Sequence, residues 1–405
     1  MPHRIQRRSM ARLAGSLAAP LRTARWLLPL AIIAGCNMST TGDDDHTVSF
    51  SIPACPDQGP VIYAVQSGTG SWAAVPQTGD AYNITITSAL GGVALIYPGG
   101  AIVREGTADE LRAIFGQPCF SLQTASGVVS NLSAGTTALI DMGGGSTPVE
   151  GPGSPAYSTV TWQAAPDLLA VLQDAQGTPS RVILRRAVNP AAIAPIDFSS
   201  SEAIEPAAPS MTVTGSAPNL EISESYISNG AWHDVAEIPS SRSTYVGLPA
   251  AIQQPADLFE LRVFSNSGSS VAQQVTRRFH DATGQTVAFL APPPSPTATL
   301  VVGGGYPRLR IQWQLTQPYD LVDLDAGTDS GAIYFSVSTA YLRGHVIDLT
   351  IPDFSGIPGA AGMIGSLAGS ISWRAGVSSG GAGYTDQPAD GQTIRYTDFS
   401  GTLHL

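Results

Sequence analysis

Short runs of β-branched and aromatic residues, cut repeatedly by glycine and proline, constrain this chain more than any other feature. Val61–Val65, Ser71–Val75, Tyr82–Thr87 and Val93–Tyr97 follow one another, separated by Ser67-Gly68-Thr69-Gly70 and Gly91-Gly92. Tyr82–Thr87 alternates apolar and polar residues, the period of a half-buried strand. With 43 Gly and 31 Pro in 405 residues, such turns recur along the whole chain and leave little room for long helices. One short helix is predicted, Ala108–Phe115. Thr107 can cap it, Asp109 and Glu110 suit its positive end, and Gly116 can stop it.

From Gly127 the strand pattern resumes. Asp167–Leu172 and Arg181–Val188 flank a turn at Gln176-Gly177-Thr178-Pro179 and predict a hairpin. A similar pattern returns further on. Ser158-Thr159-Val160 matches Ser243-Thr244-Tyr245, Asp167-Leu168-Leu169 matches Asp257-Leu258-Phe259, and Arg185-Arg186 matches Arg277-Arg278. The offset is near the length of an immunoglobulin-like sandwich. The expectation is an all-β chain of tandem immunoglobulin-like β-sandwich domains, with one short helix in the first. Expected units are 47–125, 126–205, 206–291 (a repeat of the unit before it) and 297–405. The tract Pro292–Pro296 stiffens the last junction. In the last unit Leu309–Leu315 alternates cleanly, Gly- and Ser-rich loops are expected over Gly356–Gly383, and Ile394–Leu405 reads as a closing strand.

The first 25 residues carry Arg4, Arg7, Arg8, Arg12, Arg22 and Arg25 and no acid, and Trp26–Gly35 is an apolar run. That run is too short to span a bilayer, which needs about 20 residues. Basic region, short apolar core and small residues together make an export signal. Ile33-Ala34-Gly35-Cys36 resembles the lipobox of bacterial lipoproteins. The resemblance implies cleavage after Gly35, a diacylglycerol on Cys36 and a further acyl chain on the new amino terminus. Asn37 after the cysteine implies sorting to the outer membrane. Residues 1–35 are then a signal peptide and 36–46, with Asp43–Asp45 and His46, a polar tether. The remainder resembles, in general architecture, the β-sandwich-rich lipoproteins of GC-rich bacteria, a likeness that carries no known activity.

Two cysteines remain, Cys55 and Cys119. In an oxidising compartment the expectation is a disulfide closing a long loop, worth about 3–4 kcal/mol. Two buried thiols are the alternative.

Charge excludes some partners. The formal charge is −11, and without residues 1–35 it is 14 basic against 31 acidic residues, −17. Such a body repels nucleic acid, and no basic patch with interleaved aromatics occurs. Every basic residue is arginine, which removes Schiff-base, phosphate-loop and serine–lysine chemistry.

Candidate chemistry is sparse. Asp320, Asp323, Asp325 and Asp329 cluster closely enough to offer calcium several oxygens from a loop, although the EF-hand pattern is not met. An acidic turn is the plainer reading. Gly376-Val377-Ser378-Ser379-Gly380 fits G-x-S-x-G, with Asp386, Asp390 and His404 downstream, but lacks the strand and helix of a nucleophile elbow. His233, between Trp232 and Asp234, reads as a surface turn residue. Trp72, Trp162, Trp232, Trp313 and Trp373 are spaced about one per module, as sandwich cores use them. The expected protein is not an enzyme and has no cofactor. It is held to the membrane through Cys36 and contacts an envelope protein or glycan, with a divergent hydrolase or a calcium-stabilised adhesin as rivals.

Overall fold

Val322, Leu324 and Ala326 are buried, while Leu321, Asp323, Asp325 and Gly327 between them are half-buried, which is the signature of a strand, here Leu321–Thr328. The same alternation builds nearly all of this all-β protein. The computed structural model describes residues 46–404 apart from 56–59, 117–121, 216–218, 267–269, 305, 329, 343, 345, 365–368, 382 and 386.

A single twelve-stranded sheet is the spine. Its strands run, edge to edge, Ala231–Ile238, Leu220–Ser228, Leu258–Asn266, Val271–Phe279, Thr393–His404, Ser370–Ser379, Leu321–Thr328, Gly331–Ser338, Gly100–Thr107, Leu90–Tyr97, Ile62–Ser67 and Ala73–Val75. It draws on the segments 47–125, 206–291 and 297–405 together. All its pairings are antiparallel except one: Gly331–Ser338 runs parallel to Gly100–Thr107, with Ser336 opposite Arg104. The first and last units therefore meet within one sheet.

Smaller sheets cover this spine. Thr297–Val301, Arg308–Gln314 and Val346–Thr350 form one, and Leu309, Ile311 and Trp313 pack from it onto Leu324, Phe335, Ile371 and Phe399. Val48–Pro53, Ala81–Ile86 and Gln77–Thr78 form another. Together with the helix Ala108–Phe115 it encloses Tyr63, Ile84, Ile86, Val93 and Leu111. The helix begins and ends as the sequence predicts. Thr107 accepts from the Glu110 amide at 3.2 Å, Glu110 accepts from the Thr107 amide at 2.8 Å, and the Gly116 amide donates to the Arg112 carbonyl. Two further short helices, Thr339–Leu342 and Ala360–Ile364, were not expected. The second lies in the stretch expected as loops, as does the strand Ser370–Ser379.

Residues from Gln123 to about 205 form a sandwich of their own. One sheet is Thr147–Glu150, Thr137–Asp141, Leu168–Gln173 and Pro179–Arg185; the other is Ala156–Thr161, Gln123–Ser130 and Ile196–Asp197. The predicted hairpin is there, with Leu168 opposite Arg185. Leu168, Ala170 and Ile183 fill this sandwich's core. On the opposite face Leu169, Val171 and Val182 enter the core of the next module, among Tyr226, Tyr245, Phe259 and Phe279. Burial on both faces explains why Leu168-Leu169-Ala170-Val171-Leu172 is apolar without alternation. The sandwiches are fused layers that share apolar interior.

The matched motifs of the two middle modules are only partly equivalent. Asp167 and Asp257 each precede the first strand of a hairpin. Their arginines differ in register: Arg185 faces Leu168, the first residue of its partner strand, whereas Arg277 faces Leu261, the fourth. Ser158–Val160 lies in a strand, whereas Thr244 makes an isolated bridge to Ser210.

Candidate functional site

The seam between the two middle modules gathers the densest buried polar chemistry. The strand Thr137–Asp141 ends in Met142-Gly143-Gly144-Gly145, a turn that is buried throughout. Gly143 has φ +80° and donates its amide to Asp141 Oδ1 at 2.6 Å. A Cβ on Gly144 would meet the Val160 carbonyl at 2.0 Å, so only glycine lets the turn lie this close. The turn delivers Asp141 to the edge strand Ala231–Ile238. There Asp141 Oδ1 lies 3.4 Å from His233 Nδ1, and His233 Nε2 lies 3.1 Å from Ser228 Oγ. Ser146 donates to Asp234 at 2.9 Å, and the Asp234 amide reaches Asp141 Oδ2. Burial and the Asp141 charge push the Asp234 carboxyl up to about 6.

The order Asp141–His233–Ser228 is that of a nucleophilic relay. Ser228, His233 and Asp141 are, however, 1%, 0% and 1% exposed, and a nucleophile must reach its substrate. In this conformation the three groups serve as an internal polar contact between modules. Sequence reading placed His233 in a surface turn; the structure corrects this to a buried strand position. The strand looked exposed because the sandwich that covers it lies about ninety residues earlier in the chain.

Arg186 closes the other end of the same seam. Its guanidinium donates to Asp167 at 2.7 Å, to Asp257 at 3.2 Å and to the Ile252 carbonyl at 2.8 Å. Tyr226 donates to Asp257 at 2.6 Å. Burial pushes Asp167 upward, but the Ala187 amide and Arg186 outweigh it and hold its pKa below the usual carboxylate value. The two aspartates that suggested a repeat thus share one arginine.

The acidic cluster is not a loop. Asp323 and Asp325 sit mid-strand on one face of the spine, where Asp398, Gly376, Asp323, Ser336 and Arg104 form a row across five strands. Ser336 donates to Asp323, Arg104 donates to Ser336, and Arg374 pairs with Asp325. Burial pushes Asp323 upward and Asp398 up to about 6. Asp320 accepts from the Gly381 amide at 2.9 Å, and Asp329 lies outside the described residues. Among the described residues no group of three or more His, Cys, Asp or Glu is placed to hold a metal ion. The alternation Val322-Asp323-Leu324-Asp325-Ala326 was the signal that could have identified the strand.

Ser378 lies in the strand Ser370–Ser379, opposite Tyr396, while His404 lies at the far end of the same hairpin, 2.8 Å from Ser370. Asp390 accepts from the His280 amide, and Asp386 is outside the described residues. The elbow constellation is not assembled. Trp313 is 3% exposed, and Trp72 and Trp373 pack against the same core. Cys55 is half-buried, and Cys36 and Cys119 fall outside the described residues.

Sequence reading missed a cleft at the second seam. Val275, Arg395 and Ser379 form a row across three neighbouring strands of the spine. Beyond Val275 that face belongs to the core shared with the middle sandwich, and beyond Val377 it belongs to the core under Trp313. Between the two covering layers the face opens into a cleft walled by Phe289–Pro293 and Leu315–Tyr319. Arg395 Nε is buried there with no hydrogen-bond partner among the described residues, a state that costs about 1–3 kcal/mol.

No family model and no curated protein matches this chain. Among solved structures, native Escherichia coli alpha-2-macroglobulin aligns at 11% identity over 93% of this chain and 30% of that one, with a TM-score of 0.15. Salmonella alpha-2-macroglobulin reacted with methylamine aligns at 12% identity over 93% and 31%, with a TM-score of 0.12. This chain spans about a third of the length of either, and these likenesses carry no argument. No described helix is long and apolar enough to cross a membrane.

Proposed function

We propose that this chain is a lipid-anchored cell-envelope protein whose layered β body acts by display, holding a binding surface away from the outer membrane. The observation that carries the reading is Ile33-Ala34-Gly35-Cys36, set after a basic and apolar leader and before a polar tether. Lipid on Cys36, with a second acyl signal, gives lasting attachment where one chain alone is marginal. The body behind the tether suits rigid presentation. Leu169, Val171 and Val182 bind two modules through a shared core, and Arg186 ties them with buried ion pairs. The partner is an envelope protein or glycan, contacted without a cofactor. A bridge between Cys55 and Cys119 belongs to the same reading, since an exported chain folds under oxidising conditions.

The test is fractionation of the full chain produced in a Gram-negative host, beside a Cys36→Ser variant. The expected result is wild type in the outer-membrane fraction, with a diacylated amino-terminal peptide by mass spectrometry, and release of the variant into the soluble periplasm. Soluble, unlipidated wild type would overturn the anchoring.

A further inference from the structure

We infer that the Asp141 turn is a proton-operated cap on the outer edge of the spine, closed while Asp234 is protonated and loosened once it ionises. This goes beyond membrane anchoring and does not depend on it.

The strand Ala231–Ile238 is the outermost of the twelve, and among the described residues it has a ladder partner on one side only, Leu220–Ser228. An edge strand turns amides and carbonyls outward, and proteins blunt such edges with bulges or cover them. Both devices meet at Asp234. Ser225 lies opposite Asp234 and Glu224 opposite Ala236, so Val235 is left over as a bulge. The Asp234 amide donates to Asp141 Oδ2 at 3.3 Å, so the carboxylate of the covering turn stands where a further strand would put a carbonyl. Turn and edge touch closely: a Cβ on Gly143 would meet the Ala231 methyl at 2.6 Å.

The groups that hold this cap are titratable. Asp141 comes from one module and Asp234 from the other, and His233 Nδ1 lies 3.4 Å from Asp141 Oδ1. Across the sheet, Asp234 is followed by Ser225, Glu260 and Arg278, with Glu260 paired to both Arg262 and Arg278. Burial and the Asp141 charge raise the Asp234 carboxyl against the pull of Ser146 and Arg262. Asp234 is only half-buried, so a proton reaches it without unfolding. When the cap is released, Asp234 returns to a value near about 4. Closure is therefore favoured in full below about pH 4, and the advantage is lost as pH rises through about 6. At the other end of the seam Arg186 clamps Asp167 and Asp257, and a guanidinium keeps its charge throughout this range. One end of the seam is fixed, and the other answers to acid.

Hydrogen exchange of the full protein in detergent tests this, read at about pH 5 and about pH 8 and divided at each pH by the rate of an unstructured peptide. The expected result is protection at residues 141–146 and 231–235 about tenfold lower at the higher pH, with protection at residues 167–171 and 257–261, around Arg186, unchanged. Asp234→Asn, which cannot ionise, should give equal protection at both pH values. Equal protection of the cap at both pH values in the wild type, or an equal loss at both ends of the seam, overturns the inference. Those two readings need no variant, so they decide even if Asp234→Asn misfolds. A folded Asp234→Asn protein that keeps the pH dependence overturns the assignment to Asp234.

Discussion

Arg186 and Asp257 belong to different sandwiches, yet they form an ion pair in which the carboxylate is 2% exposed and the guanidinium 23%. Asp257 also accepts from Tyr226 and from the Gln254 amide. Removing one partner of such a pair strands the other, which costs more than the pair itself contributes. Arg186→Met should therefore lower unfolding free energy by about 3 kcal/mol in urea denaturation. A loss below about 1 kcal/mol would mean that the shared apolar core alone holds the modules together.

Mild acid should stabilise the fold. Burial pushes Glu105 up to about 7, and Asp398 and Asp234 up to about 6. Each is therefore raised above its unfolded value near 4. Their favourable contribution is complete below about pH 4 and is lost as pH climbs through 6 to 7. Asp167 and Glu260 are shifted the other way, so their contribution vanishes in stronger acid. Thermal melting should show Tm rising as pH falls from about 8 to about 5 and dropping again below about 4. A flat profile between 8 and 5 would contradict the burial of these carboxyls.

The buried relay at the first seam predicts chemical silence. A fluorophosphonate probe should leave Ser228 unlabelled in the folded protein, because the residue is buried and its hydroxyl is held by His233. Asp141→Ala should loosen the Asp141 turn, stranding the Gly143 amide, at a cost of about 1–3 kcal/mol. Hydrogen exchange should quicken at residues 141–146 and 231–235. Labelling of wild-type Ser228 would show that the seam opens to solvent.

Two glycines should resist even alanine. At Gly144 the new methyl meets backbone, and at Gly376 it meets the Tyr396 hydroxyl at 2.1 Å. Gly376→Ala should cost about 1–3 kcal/mol by denaturation, since Tyr396 must move. Gly144→Ala should cost more, because a strand carbonyl yields less readily than a side chain. A Gly376→Ala variant the more damaged of the two would reverse that ranking.

Reduction should expose the expected bridge. Cys119→Ser should destabilise the protein by about 3–4 kcal/mol. Alkylation of denatured, unreduced wild type, followed by mass spectrometry, should leave Cys55 and Cys119 unmodified. Their free modification would remove the bridge from the reading.

What the sequence made legible is local. Thr107 and Glu110 specify a helix start within four residues, and Leu309–Leu315 writes its own alternation. The turn at Gln176–Pro179 fixes a hairpin whose partners are near neighbours. What was hidden depends on distant chain. His233 resembles a surface residue until the Asp141 turn covers it, and Arg395 is unremarkable until two covering layers part around it. The Asp323–Asp325 pair is an intermediate case. Its period of two was visible, but the repeated aspartates drew attention to metal ligation before strand geometry.

The parallel pairing of Gly331–Ser338 with Gly100–Thr107 places Arg104 against Ser336, 232 positions later in the chain. A polypeptide is made from its amino terminus, so the first unit waits with an open sheet edge until Gly331–Ser338 has been synthesised. Long-range closures of this kind slow folding and leave intermediates exposed to aggregation. A chain that stops before Gly331 would retain every local strand signal in the first unit and still present Gly100–Thr107 as a bare edge. A factor that recognises unpaired strands would meet that edge as the mark of an unfinished molecule.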